Sequence, residues 1–167
     1  MAKKPSAVKT NKKIVVSLSK QLLQGFEGEN LVHSYPCYTG SAEHWTPAGK
    51  YQIFDKQENG WSNTYQSPMP YAMYFSPDRK AIHSNGDARI GIDWAHHGMK
   101  TVDRHYKAQD LSALGSFISY WQVEIRSWRK SFGDQTVGSH GCVNVGLSTA
   151  RILFAWAPLH TPVIIQE

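Results

Sequence analysis

Ser139-His140-Gly141-Cys142-Val143-Asn144 places a thiol directly after a glycine and two residues after a histidine, at the end of the polar loop Asp134 to Gly138. An isolated cysteine is most often a small buried hydrophobe. This one has polar, glycine-bearing neighbours, the setting in which reactive thiols occur. A cysteine nucleophile needs a base to form the thiolate, a group to orient the base, and donors for the tetrahedral oxyanion. His140 and the Gly141 and Cys142 amides are candidates for the donors. Upstream, Ala81-Ile82-His83-Ser84 ends an apolar run in a histidine, where a strand would aim the ring inward. His83 is the preferred base. His140 is the alternative, but closeness in sequence does not by itself bring a ring within reach of the thiol.

Four further stretches fall in order around these two. They are Lys13-Ile14-Val15-Val16-Ser17-Leu18-Ser19-Lys20-Gln21, then Tyr38-Thr39-Gly40 with Thr46-Pro47-Ala48-Gly49-Lys50-Tyr51, then Pro68-Met69-Pro70-Tyr71, and finally Thr161-Pro162-Val163-Ile164-Ile165. Together the set resembles the L,D-transpeptidase catalytic domain (YkuD-type). That signature is a histidine followed later by Ser or Thr, His, Gly, Cys, an apolar residue and Asn. The landmarks cover residues 13–86 and 136–166.

The resemblance implies a mainly β fold, a two-sheet β-sandwich with short helices, and a cleft where His83 and Cys142 converge. Cys142 would be the nucleophile and His83 the base, oriented by the backbone carbonyl of Ser84, with His140 and Gly141 shaping the oxyanion pocket. His83 takes the thiol proton, the resulting ion pair attacks an amide carbonyl, and a thioester follows. Ser139, Asn144, Tyr71 and Tyr74 are candidates for substrate contact, although Tyr71 and Tyr74 read equally well as core aromatics. Many relatives carry Arg at the position of Asn144. The implied substrate is a peptidoglycan tetrapeptide stem or muropeptide, cut between diaminopimelate and the terminal D-Ala, and no cofactor is implied. Water as acceptor gives L,D-carboxypeptidase action, another stem a 3-3 crosslink, and a D-amino acid exchange. The family also implies acylation of Cys142 by carbapenems.

The chain departs from the pattern in one respect: the stretch from Ser84 to Gly138, which separates His83 from Ser139, is much longer than the family's usual connection. This reads as an insertion over about Asp87 to Gly133. Within it Leu111, Leu114, Phe117, Ile118, Trp121, Ile125 and Trp128 recur at helical spacing, with Asp110 as a cap. Such a helix, lying between base and nucleophile in sequence, is either a packed element or a lid. His96, His97 and His105 cluster there with Asp93 and Asp103, without metal-ligand spacing, and read as surface residues; no metal is expected. Arg89, Arg104, Arg126 and Arg129 are candidates for pairing with stem carboxylates.

At 167 residues the chain is long enough for one domain with a core of its own. Its net charge of +5 is carried by Lys3, Lys4, Lys9, Lys12 and Lys13, since the remaining 13 basic and 13 acidic residues balance. Residues 1–12 read as a flexible basic tail and 13–167 as one catalytic domain. No basic stripe with interleaved aromatics follows the tail, which argues against nucleic acid. No apolar stretch follows the basic start either, so neither export nor membrane insertion is expected and the cytoplasm is the expected compartment. A trimmed sequence or another delivery route would place the protein in the periplasm. Two cysteines, Cys37 and Cys142, make no disulfide framework.

Elsewhere the pattern predicts strands over 14–18, 31–38, 50–54, 71–75, 81–83 and 163–165. Gly25 to Asn30 reads as a turn and Asp55 to Asn63 as a polar loop. A last helix over Ala150 to Ala157, capped by Ser148, stops at Pro158. Two readings from other classes accompany the enzyme: a wall-binding module without catalysis, and an antibacterial effector using the same chemistry.

Overall fold

The computed structural model describes residues 10–40, 44–84, 139 and 141–167. Among these, nine strands and one helix form: β1 Lys12–Ser17, β2 Leu22–Glu27, β3 Asn30–Pro36, β4 Gly49–Gln52, β5 Asp55–Ser62, β6 Ser67–Tyr74, β7 Ala81–Ser84, β8 Val143–Val145, α1 Leu147–Trp156 and β9 Pro162–Gln166. One sheet has the order β3-β2-β1-β9-β4 and the other β5-β6-β7-β8. The mainly β, two-sheet architecture expected from the sequence is present.

Alternation along the strands creates the core. β1 and β9 run parallel with Ile14 opposite Val163 and Val16 opposite Ile165, and all four side chains are buried. They meet Met73, Ile82, Val143 and Val145 of the second sheet in one cluster. Each such side chain contributes roughly 1.5–3 kcal/mol on leaving water. Helix α1 lies on β6 and β7 and buries Ala150 and Leu153. Its last turn is capped from β5, because Lys56 Nζ donates to Phe154 O at 2.5 Å and Ala157 O at 2.8 Å. A cation on the exposed carbonyls of a helix C-terminus is favourable. The chain then leaves the helix through an extended Ala157, as the following Pro158 requires.

Several expectations need correction. Residues 22–27 are strand β2, and the turn is confined to Gly28 and Glu29. Gly25 is there for packing rather than for turning: a Cβ on it would stand 3.0 Å from Trp156, whose ring covers it. Asp55–Ser62 is strand β5 rather than loop; an edge strand of mainly polar residues, half of them exposed, gives no alternating apolar signal. Helix α1 begins at Leu147 behind Gly146, so Ser148 sits inside the first turn and does not cap it. Lys12 does not belong to a flexible tail but opens β1 together with Lys13. Lys12 Nζ donates to Trp156 O at 2.9 Å, and Lys13 Nζ lies 5.2 Å from the Phe26 ring centre. The insertion 87–133, with its predicted helix, its histidine cluster and its four arginines, lies outside the described residues.

Candidate active site

The pairing of β7 with β8 decides which side chains meet. The two strands are parallel, with Ile82 opposite Val143 and His83 opposite Asn144. Ile82 and Val143 enter the core, so alternation turns Ala81, His83, Cys142 and Asn144 to the other face. Strands ~4.8 Å apart and a rise of ~6.6 Å over two residues make His83 and Cys142 diagonal neighbours. Both line a cavity of about 710 Å³. The whole stretch of chain between them, Ser84 to Gly141, is thus closed by one parallel strand pair.

His83 is buried, and its Nδ1 lies 2.6 Å from Ser84 O. A carbonyl only accepts, so Nδ1 carries the proton and Nε2 keeps its lone pair. Burial lowers the imidazole pKa to about 4, with the Ser84 bond opposing. The Cys142 thiol is pushed up to about 11 by burial, while the Ala81 amide and the Lys80 charge pull it down. Ala81 N–H points at Sγ from 3.5 Å. Burial thus favours neutral imidazole beside neutral thiol at rest. Desolvation penalises both charges, so the thiol proton moves as the sulfur attacks.

The loop carrying the thiol is clamped on all sides. Gly141 has φ +107°, which an L side chain rarely adopts. Its N–H donates to Ser139 Oγ at 3.2 Å, and that hydroxyl donates to Cys142 O. Thr46 Oγ1 donates to Gly141 O and accepts from Gly40 N–H, both at 2.8 Å. Tyr38 and Asn144 exchange both main-chain bonds at 3.0 and 2.9 Å, and Ser139 N–H donates to Thr39 O at 2.9 Å. Behind this strap the buried Gln21 amide reaches Leu18 O at 2.7 Å, Thr39 Oγ1 at 2.8 Å and Thr39 N at 3.0 Å. Tyr38-Thr39-Gly40 and Thr46, visible in the sequence only as landmarks, are the frame of the nucleophile.

The remaining candidates divide. Tyr74 lines the cavity, but Tyr71 does not: its ring packs on Phe154 of α1 at 5.6 Å. Tyr71 has φ +55°, which breaks the alternation of β6: Met69, Ala72 and Tyr74 fall in one small cluster, while the Tyr71 ring packs against the main core. Ser139 borders the cavity, yet its hydroxyl is engaged inside the loop rather than turned to a substrate. Asn144 is buried, and its Oδ1 has no hydrogen-bond partner among the described residues. The residue borders the cavity. His140 lies outside the described residues. The sequence reading missed Lys80 and Asp78 beside the thiol, and also the wall formed by Trp45, Trp61 and Tyr65. Those three rings are 41–50% exposed, high for such side chains; no periodicity marks them because they lie on loops and a strand edge. Among the described residues no group of three His, Cys, Asp or Glu side chains is placed to hold a metal.

A two-sheet β domain with histidine and cysteine on adjacent parallel strands, one cavity over both, has the site of a cysteine acyltransferase. The L,D-transpeptidase catalytic domain (YkuD) family model matches residues 11–165, and the chain belongs to that family of enzymes. Among solved structures, an L,D-transpeptidase from Stackebrandtia nassauensis is similar, with TM-score 0.63 and 20% identity over 96% of this chain and 57% of the other. L,D-transpeptidase 1 of Mycobacterium tuberculosis gives 0.61 and 13% over 95% and 63%. An Enterococcus faecium L,D-transpeptidase mutant gives 0.60 and 20% over 93% and 49%. The chain thus spans about half to three fifths of the length of these proteins. No curated protein sequence matches it.

Proposed function

We propose that the chain cleaves peptidoglycan tetrapeptide stems between diaminopimelate and the terminal D-Ala, with water as the acyl acceptor. The observation that carries this reading is the geometry of His83: Nδ1–H held on Ser84 O, Nε2 left with its lone pair, and Cys142 on the same face of the neighbouring strand. Sγ attacks the carbonyl of the L-centre of diaminopimelate while Nε2 takes the thiol proton. The Gly141 N–H is committed to Ser139, so the Cys142 N–H is the described amide left for the oxyanion. The imidazolium returns its proton to the departing amine, D-Ala leaves, and a thioester remains on Cys142. Water, deprotonated by Nε2, then releases the tripeptide stem.

Water is favoured as acceptor because Cys142 borders a cavity that admits it to the thioester, and hydrolysis needs no second stem. The test is mass spectrometry of the purified protein incubated with a disaccharide tetrapeptide. A tripeptide product supports hydrolysis. A crosslinked dimer would replace hydrolysis with transpeptidation, and unchanged substrate would overturn the reading. Cys142→Ser is expected to lower turnover by about 10³-fold or more.

A further inference from the structure

The turn between β6 and β7 brings a lysine to the nucleophile. Ser76 Oγ donates to Asp78 Oδ1 at 2.5 Å and accepts from Lys80 N–H at 2.9 Å, while Arg79 N–H donates to Ser76 O at 2.8 Å. The Lys80 side chain is only 17% exposed, and its ammonium is paired with Asp78. Its stem lies over the nucleophile loop: a Cβ on Gly141 would stand 2.6 Å from Lys80 Cε and 3.2 Å from Cδ. Lys80 and Cys142 line the same cavity.

We infer that Lys80 is a positioning residue whose ammonium, fixed by Asp78 above Gly141, stabilises the Cys142 thiolate as it forms. The inference deepens the proposed function and rests on Cys142 being the nucleophile. The other titratable or charged groups around the cavity are His83, Tyr74, Asp78, Arg79, His44 and Tyr65. Arg79 is engaged elsewhere, 2.9 Å from Asp55 and stacked 4.0 Å over the Tyr74 ring. His83 is neutral at rest. Among the described residues, Lys80 is therefore the cation whose stem rests on the loop of the thiol, and Asp78 both anchors it and offsets part of its field. The Lys80 charge favours, and the Asp78 charge disfavours, ionisation of Cys142.

The step itself is the one already described: the thiol proton passes to His83 Nε2, and Lys80 supplies charge without exchanging a proton. A nearby opposite charge moves a titration by about 1–3 units. With Asp78 opposing, a net shift of about one pH unit is expected.

The test reads the thiol rather than muropeptide turnover, so its failure is separable from failure of the proposed substrate. The rate constant for alkylation of Cys142 by iodoacetamide is measured at pH 8, below the ordinary lysine range, so that the charge is present throughout; peptide mass spectrometry separates Cys142 from the buried Cys37. Lys80→Met keeps the stem over Gly141 and removes the charge; its rate constant is expected to be about tenfold below wild type, the effect of one unit on the thiolate fraction. Lys80→Arg, which keeps the charge, is expected to stay within about twofold of wild type. Lys80→Gln serves if Lys80→Met does not fold. A rate constant unchanged on loss of the charge in a folded variant, or lowered equally in Lys80→Arg, would assign Lys80 a packing role and overturn the inference.

Discussion

Acid should destabilise this protein through His83 before its carboxylates titrate. In the unfolded chain an imidazole titrates near 6.5, whereas burial of His83 lowers its value to about 4. Between these values the unfolded state binds a proton that the native state refuses. Stability therefore rises with pH across this window and is lost as pH falls from about 6.5 to about 4. From pH 7 to pH 5 the two values give a loss of about 2 kcal/mol, and the full difference of about 2.5 units corresponds to about 3 kcal/mol. The assay is urea unfolding of wild type and His83→Gln at pH 7, 6 and 5, comparing how each loses stability rather than how stable each is. His33 is also lowered, mainly by burial, but it is present in both proteins and cancels. Asp55 and Asp78, both lowered by hydrogen bonds from Arg79 and Lys80, titrate below this window. Parallel losses in the two proteins would mean that the native imidazole protonates freely, and the neutral resting pair would have to be abandoned.

Cys142 gives the mirror case: its raised value means that stability is present below about pH 9 and falls as pH rises towards 11, a loss that Cys142→Ala should remove in alkaline unfolding curves. Thr46→Val leaves Gly40 N–H and Gly141 O without their 2.8 Å partner; about 2–3 kcal/mol of stability should go with it, and Thr46→Ser should recover most of it by the same measurement. Gly40→Ala would place a Cβ 1.9 Å from His44 O and 3.0 Å from Gly141 Cα, both backbone atoms. The strap must then shift, and turnover should fall by more than tenfold even where circular dichroism still reports a folded β protein. Imipenem should leave one covalent adduct on Cys142, detectable by intact mass and slowed in His83→Gln; an adduct on Cys37 instead would remove Cys142 from its assigned role.

Sequence patterning carried far where residues report on local geometry. Ile14, Val16, Val163 and Ile165 announced two core strands, because alternation follows from backbone pleat alone. It failed where the deciding contact is distant. Gly25 looked like a turn because its reason, the ring of Trp156, lies near the opposite end of the chain. Asp55–Ser62 looked like a loop because an exposed edge strand needs no apolar alternation. Tyr71 and Tyr74 read equally well as cleft or core; the left-handed backbone at Tyr71, which no periodicity marks, is what accompanies the placing of its ring on Phe154.

By itself the sequence determined the chemical inventory: one cysteine after a glycine, one histidine closing an apolar run, and the ordered landmarks around them. These are covalent facts and short-range preferences, and they identify a nucleophile and a base. Only the tertiary structure decided that the two stand together, since the parallel register of β7 and β8 is a pairing between strands far apart in the chain that no local rule encodes. The same fold decided that both groups rest neutral, because burial is a property of everything packed around a side chain. It also brought Lys80, Thr46 and Gly40 to the thiol loop, where side-chain reach and backbone approach in three dimensions give them their roles.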